Sequence, residues 1–142
     1  MEIPGVCERL FLPRRAWVWV SWNRSMDTIT QKQSPIFSKT YDLILWLLNH
    51  TEKFPRSERF RTAKRIEDTA FCFYDWLVRA ARSADKQPML EEADRELQRL
   101  RFLLRLSHDR NLTSQGQYTH ASKLVVEIGK LLGGWIISVT EN

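Results

Sequence analysis

The stretch that decides the fold is residues 90–106, which read LEEADRELQRLRFLLRL. Apolar residues recur there at intervals of three and four, so they share one face of an α-helix that we expect to pack in a core. The residues of this face are Leu90, Ala93, Leu97, Leu100 and Leu104. Phe102 and Leu106 lie on nearly the opposite face of the same helix, which indicates a second contact surface.

Helix starts and helix breakers predict three more helices around this one. Ser34 followed by Pro35 is a typical helix start, and Ser114 with Gln117 three residues later forms a capping box. The predicted helices cover about 36–50, 57–82, 88–109 and 114–137, the last ending near 133–134 or at 137. Because connections this short place consecutive helices antiparallel, we predict an all-α fold, an antiparallel up-down four-helix bundle.

The same spacing predicts the core faces of the second and fourth helices. On the second helix they are Ala63, Ile66, Ala70, Phe73 and Leu77, and on the fourth Ala121, Leu124, Ile128, Leu131 and Trp135. Four apolar or weakly polar residues of the second helix fall outside its face: Phe71, Cys72, Trp76 and Val78. The first helix is apolar nearly all round, so every side of it must be covered.

This surplus of apolar surface predicts self-association. Burying a large apolar side chain is worth about 1.5–3 kcal/mol, and one small bundle cannot cover every such residue. The predicted oligomer interface consists of Phe102, Leu106, Phe71, Trp76 and Trp46. The alternative is that the N-terminal segment covers one of these patches within the same chain.

The length of 142 residues fits one domain, with an N-terminal extension at 1–34, the bundle at 35–137 and a C-terminal tail at 138–142. The extension is interpreted as disordered, or as sequence upstream of a true start at Met26. A short strand or a membrane-touching arm is the alternative. The longest apolar run, 43–48, is too short to span a bilayer, so we expect a cytoplasmic protein that needs no membrane.

No pattern of catalytic or metal-binding residues is present in the sequence. The histidines, His50, His108 and His120, fall near predicted helix ends, where we expect them to be exposed or to cap helices. No Glu-x-x-His pair of a di-iron bundle and no glycine-rich phosphate loop occurs. We therefore expect no enzymatic activity, no metal, no cofactor and no small-molecule substrate.

Positive charge is the feature that stands out. The net charge is +5, and the basic residues concentrate in two clusters. The first basic cluster is Lys53, Arg56, Arg59, Arg61, Lys64 and Arg65; the second is Arg95, Arg99, Arg101 and Arg105, followed by Arg110. Arginine suits phosphate and carboxylate equally, so pairing with Glu67, Asp68 and the acidic start of the third helix is the alternative to a phosphate-binding surface. Repetition of both clusters around an oligomer favours nucleic-acid binding.

Several motifs occur in the order found in the Avd family, the accessory variability determinants of diversity-generating retroelements. They are PIFSKTYDL at 35–43, HTEKFPRS at 50–57, RIED at 65–68, LLRLSHD at 103–109, QY at 117–118 and IGKLLGGW at 128–135. The chain resembles this family over about 35–137 and, more distantly, the four-helix-bundle proteins of 23S rRNA intervening sequences. Residues 1–34 have no counterpart in the pattern, and Asn49 stands where a proline is common.

The resemblance implies a basic four-helix bundle that assembles as a ring-like homopentamer. It implies binding to a reverse transcriptase and to structured template RNA, with DNA as a further candidate ligand. Such a protein supports adenine-directed mutagenic cDNA synthesis without catalysis of its own. The alternative is a self-assembling bundle of the intervening-sequence type that has no reverse-transcriptase partner. The resemblance does not assign individual RNA-binding arginines, so the site prediction rests on the two basic clusters.

Overall fold

A computed structural model describes residues 34–142, which form four α-helices and no strand. The helices are α1 (Pro35–Thr51), α2 (Lys64–Arg82), α3 (Gln87–Asp109) and α4 (Gln115–Thr140). A 3₁₀ turn (Arg56–Glu58) and a π-helical turn (Arg59–Ala63) precede α2. The predicted all-α class is confirmed for these residues. Of the predicted extension at 1–34, all but Ser34 lies outside the described residues.

The predicted starts of α1 and α4 are confirmed, and each start is stabilised by different groups. At α4 the Gln117 amide donates to Ser114 Oγ at 3.2 Å, and the Ser114 amide donates to Gln117 Oε1 at 2.8 Å. At α1 the Ser34 side chain makes no capping bond, and its carbonyl oxygen accepts the Phe37 amide at 3.0 Å. Pro35 in the first turn has no amide hydrogen to satisfy, which favours a helix start there.

Two predicted helix bounds are wrong. α2 begins at Lys64 and not at Ser57, because the π-helical turn interrupts the α-helical hydrogen bonding. α4 continues through the glycine pair at 133–134 to Thr140, although glycine costs up to about 1 kcal/mol in a helix. Beyond that pair, Trp135 and its neighbours 136 and 139 pack against the core, and this burial offsets the cost.

The core follows the predicted faces of α2 and α3, with one correction. All ten residues predicted for these two faces are buried. Cys72 and Val78, predicted to lie outside the α2 face, are buried as well. The reason is that α2 packs against both α1 and α3, so its buried stripe is wider than a single contact requires.

The core face of α4 is rotated relative to the prediction. Its fully buried residues are Ala121, Val125, Ile128 and Leu132. Leu124, Leu131 and Trp135, predicted at the centre, are half-buried and flank this stripe. Apolar residues of α4 stand side by side, as in Leu124–Val125 and Leu131–Leu132, so the sequence pattern does not fix the centre of the face to one residue.

The four helices form a helical bundle in which each helix packs against two others. α1 packs against α2 and α4, and α3 also packs against α2 and α4. Between α4 and α1 an ion pair joins Lys39 Nζ to Glu127 Oε1 at 3.0 Å. None of the helices in the described range is long and apolar enough to cross a membrane.

Gly129 lets α4 approach the side chains of α3 closely. A Cβ atom at this position would lie 2.6 Å from an Arg101 guanidinium nitrogen and 3.7 Å from Leu97 Cδ2. Gly133, one turn further along, has open space at the same position. The close approach between these two helices therefore involves Gly129 and not Gly133.

A buried histidine links the last turn of α1 to the α3–α4 connection. His50 lies in the core, 2.9 Å from Thr113 Oγ1, whose hydroxyl is in turn 2.9 Å from Ser107 Oγ. The ring also stacks on Trp46 and meets Phe54 edge-on. The prediction that the histidines are exposed or cap helices is therefore wrong for His50, because its aromatic neighbours enclose it.

Burial predicts a pH dependence of stability through His50. Desolvation lowers the pKa of His50, and the charge on Lys53 lowers it further. The unfolded chain thus binds this proton more readily than the folded chain. We expect the melting temperature to fall as the pH drops below the unfolded pKa of about 6.5. In His50→Gln the slope of melting temperature against pH over this interval should be smaller. Equal slopes in the two proteins would contradict the prediction.

Candidate nucleic-acid interface

The π-helical turn sets which side chains of the first basic cluster reach solvent. In a continuous α-helix, positions 59, 63, 66 and 70 would share the core face, so Arg59 would point inward. The Lys64 amide donates to the Arg59 carbonyl oxygen, five residues back, and this wider turn changes the register. As a result Arg59 is exposed, while Glu58 takes the inward position and is only 3% exposed.

Glu58 fixes the turn through three partners. Its carboxylate accepts the Thr62 hydroxyl at 2.6 Å and is 3.0 Å from Arg110, which follows α3. Arg61 lies 3.5 Å away on the exposed side. The hydrogen bond from Thr62 lowers the pKa of the Glu58 carboxyl, burial opposes this, and Arg110 and Arg61 lower the pKa further. One carboxylate thus faces two guanidinium groups, so Glu58, Arg61 and Arg110 together retain a net positive charge.

Most of the first basic cluster faces solvent without a carboxylate partner. All six of its members are exposed. Within the described residues, no ion pair involves Lys53, Arg56, Arg59 or Arg65. Lys64 pairs with Asp68 at 2.9 Å. Four cations that are exposed and unpaired provide donors for phosphate oxygens.

Arg59 lies at the edge of a polar depression between α1 and α2. Glu52 and Glu67 line the same depression, and neither carboxylate is within ion-pair distance of Arg59. Glu67 instead accepts the Thr51 hydroxyl at 2.6 Å. Within residues 34–142, Glu67 therefore forms no ion pair with a basic residue, contrary to the predicted alternative.

The second basic cluster is largely paired along its own helix. Arg95 pairs with Glu92, Arg99 donates to Glu96 at 2.8 Å, and Arg105 lies 3.7 Å from Asp109. Arg101 donates to Gln98 Oε1 at 3.3 Å. Most of these contacts therefore agree with the predicted alternative, in which the arginines pair with acidic residues of the third helix. These arginines are less available to phosphate than the first basic cluster.

Glu96, on α3, is a buried carboxylate, as Glu58 is in the turn before α2. Burial raises the pKa of the Glu96 carboxyl, and the neighbouring Arg99 charge opposes that shift. Arg99 is accordingly needed as its partner and is only half-exposed. Of the second basic cluster, Arg99 is thus the member most closely tied to the stability of the chain.

The predicted interface residues divide into exposed and partly covered groups. Phe102 is 66% exposed, Phe71 is 44% exposed and Leu106 also faces solvent. Trp76 is half-buried, and the Arg79 guanidinium lies over its ring. The guanidinium carbon is 4.7 Å from the ring centroid. Trp46 is half-buried between His50 and His120. The three exposed residues remain candidates for subunit contact, and the two tryptophans already have contacts within the chain.

Sequence reasoning missed Phe60 as part of this surface, and it grouped Arg110 with the second basic cluster although Arg110 pairs with Glu58. Phe60 is 79% exposed and is flanked by Arg59 and Arg61. An aromatic residue inside a basic run was the available signal. The Glu58–Arg110 pair has no such signal, since its members are 52 residues apart. Within residues 34–142, no group of histidine, cysteine, aspartate and glutamate is placed to hold a metal ion.

The fold and this surface define a helical-bundle protein with an exposed, largely unpaired basic cluster. A family model described as bAvd-like matches residues 34–139, so the chain belongs to the bAvd-like family. The resemblance to the Avd family drawn from the sequence motifs is thereby confirmed. No curated protein matches the chain significantly.

Proposed function

We propose that the chain is a non-catalytic accessory subunit of a diversity-generating retroelement. In this role it binds the reverse transcriptase and the structured template RNA of the element and supports mutagenic cDNA synthesis. Membership of the bAvd-like family carries the proposal. The unpaired cations of the first basic cluster support its RNA-binding part.

The mechanism is electrostatic positioning. Guanidinium groups of the first basic cluster bind phosphate oxygens and release condensed counterions from the RNA. The bundle supplies a rigid base, because Glu58 ties the π-helical turn to Arg110 beyond α3. The chain thereby holds template RNA beside the reverse transcriptase, which carries out all of the chemistry.

The proposal includes an antiparallel up-down bundle that assembles as a homopentameric ring. Two contacts support this topology. His50–Thr113 joins the last turn of α1 to the α3–α4 connection, and Glu58–Arg110 joins the α1–α2 connection to the residue after α3. Phe102, Leu106 and Phe71 provide apolar surface for subunit contact. A ring would repeat the first basic cluster on every subunit and strengthen its field.

Co-purification tests the functional proposal directly. The chain is expressed with a tag, together with the reverse transcriptase encoded beside its gene, and the purified material is treated with nuclease. We expect the reverse transcriptase to co-elute and the complex to copy its template with substitutions at adenines. The absence of such a neighbouring gene, or an enzyme that stays in the flow-through, would contradict the proposal. It would favour a self-assembling bundle of the intervening-sequence type, whose basic residues mainly form salt bridges between subunits.

A carboxylate placed in the apolar surface of α3 should dissociate the oligomer. Phe102→Asp or Leu106→Asp would bury a charge in the subunit contact and weaken association by about 2 kcal/mol or more. Light scattering of the variant should show a shift toward the monomer. Thr119→Asp, an exposed position on α4, which carries none of the predicted interface residues, is the control and should keep the wild-type size. A wild-type particle size for both apolar variants would exclude this surface as the contact.

A further inference from the structure

Phe60 is the most exposed of the large hydrophobic residues in the described range, at 79%. A single exposed phenylalanine needs no explanation on most surfaces. Phe60 differs because exposed arginines, Arg59 and Arg61, flank it on both sides. Phe60 therefore lies inside the sequence run of the first basic cluster, whose six cations are all exposed.

The turn that presents Phe60 is held in place. Thr62 and Arg110 both bind the Glu58 carboxylate, so the backbone on either side of Phe60 is tied to the bundle. The π-helical turn places Glu58 inward and leaves Phe60 in solvent. An aromatic side chain on a fixed turn can stack on a ligand with little loss of conformational entropy.

From this geometry we infer that Phe60 stacks on an unpaired base, so that the surface prefers single-stranded or looped RNA to duplex RNA. This inference rests on the proposed function, which supplies RNA as the ligand. In a duplex each base is stacked on its neighbours, and its face is not available to a side chain. In a single strand the base faces are free, and aromatic residues beside cationic grooves bind them.

Charge selects an RNA strand over a second copy of the chain as the partner of Phe60. A symmetric contact at Phe60 would bring two copies of the first basic cluster together, and the like charges would repel. A phosphate backbone places negative charge against Arg59 and Arg61 while its bases reach the ring. The same surface thus offers both groups that single-strand binding requires.

The inference is tested with the full chain and two fluorescein-labelled RNAs of equal length, about 16 nucleotides. One RNA is unpaired and carries 2-aminopurine, whose fluorescence is quenched by stacking, and the other folds as a hairpin duplex. Anisotropy gives Kd for wild type, Phe60→Ala, Phe60→Tyr and the matched control Tyr41→Ala. Tyr41 is also highly exposed, at 65%, but it lies on α1 outside both basic clusters and outside the proposed subunit contact. Sedimentation velocity gives the oligomeric state of each protein.

We expect Phe60→Ala to weaken binding of the unpaired RNA about tenfold and binding of the duplex less than about twofold. Phe60→Tyr should keep wild-type affinity and 2-aminopurine quenching, and Tyr41→Ala should change neither affinity. Equal weakening on both RNAs, or no effect of Phe60→Ala, would overturn the inference while leaving RNA binding intact. A changed sedimentation coefficient in Phe60→Ala would assign Phe60 to a protein contact and also overturn it. A wild-type protein that binds neither RNA would overturn the RNA-binding part of the proposed function itself.

Discussion

Reversing Arg56, Arg59 and Arg65 to glutamate is expected to weaken RNA binding about a hundredfold at moderate salt. These residues are exposed and form no ion pair within the described range, so each can neutralise a phosphate. Their loss should lower the slope of log affinity against log salt by about three, roughly one for each lost phosphate contact. Filter binding across a salt series measures both quantities.

A matched variant separates local contact from net charge. Arg95→Glu, Arg101→Glu and Arg105→Glu change the net charge by the same amount on a surface where most arginines already have partners. We expect this triple variant to lose less than about tenfold in affinity. Both triple variants should melt close to wild type, because the substitutions are at exposed positions. If the control loses as much affinity as the first variant, long-range charge and not the first basic cluster governs binding.

Arg61 is left out of that variant because of its contact with Glu58. Reversing Arg61 would replace a guanidinium that lies 3.5 Å from the Glu58 carboxylate with a second carboxylate on the same turn. The resulting repulsion would disturb the π-helical turn and mix a folding effect with a binding effect. Arg56, Arg59 and Arg65 have no such partner, so their reversal tests binding alone.

The periodic parts of the fold follow from the sequence. The α3 face needs only the intervals of three and four between Leu90 and Leu104, and the α4 capping box needs only Ser114 and Gln117. Both are local patterns, and the structure confirms both. The π-helical turn has no comparable local signature, since it is set by how Glu58 meets a residue after α3.

The candidate site is predictable in composition but not in detail. The first basic cluster is visible as six cations and one carboxylate within 53–65. Which of these cations are paired depends on contacts between turns and on the inward position of Glu58, and these contacts require the fold. His50 shows the same limit, because the hydrogen-bond partner of its side chain is Thr113, which is 63 residues away. Local spacing therefore locates a basic surface, and tertiary contacts decide which of its charges are available.

Phe73→Ala is expected to destabilise the bundle by about 3–5 kcal/mol, which lowers the melting temperature by roughly 10–20 °C. Phe73 is 1% exposed in the middle of α2, so the truncation leaves a cavity between helices. Phe71→Ala removes the same atoms from a residue of the same helix that is 44% exposed. In an isolated chain its effect should stay within about 1 kcal/mol. Chemical denaturation of the two variants measures the contrast, and equal losses would contradict the described core of α2.

Protein concentration adds a second readout to this pair of variants. If Phe71 lies in a subunit contact, its truncation weakens association, and the loss of stability grows as the protein is diluted toward the dissociation constant. The loss in Phe73→Ala has a concentration-independent part, because its cavity lies inside one subunit. Melting curves at several concentrations therefore separate packing within a subunit from packing between subunits. A Phe71→Ala loss that is the same at every concentration would remove Phe71 from the proposed interface and leave Phe102 and Leu106 as its candidates.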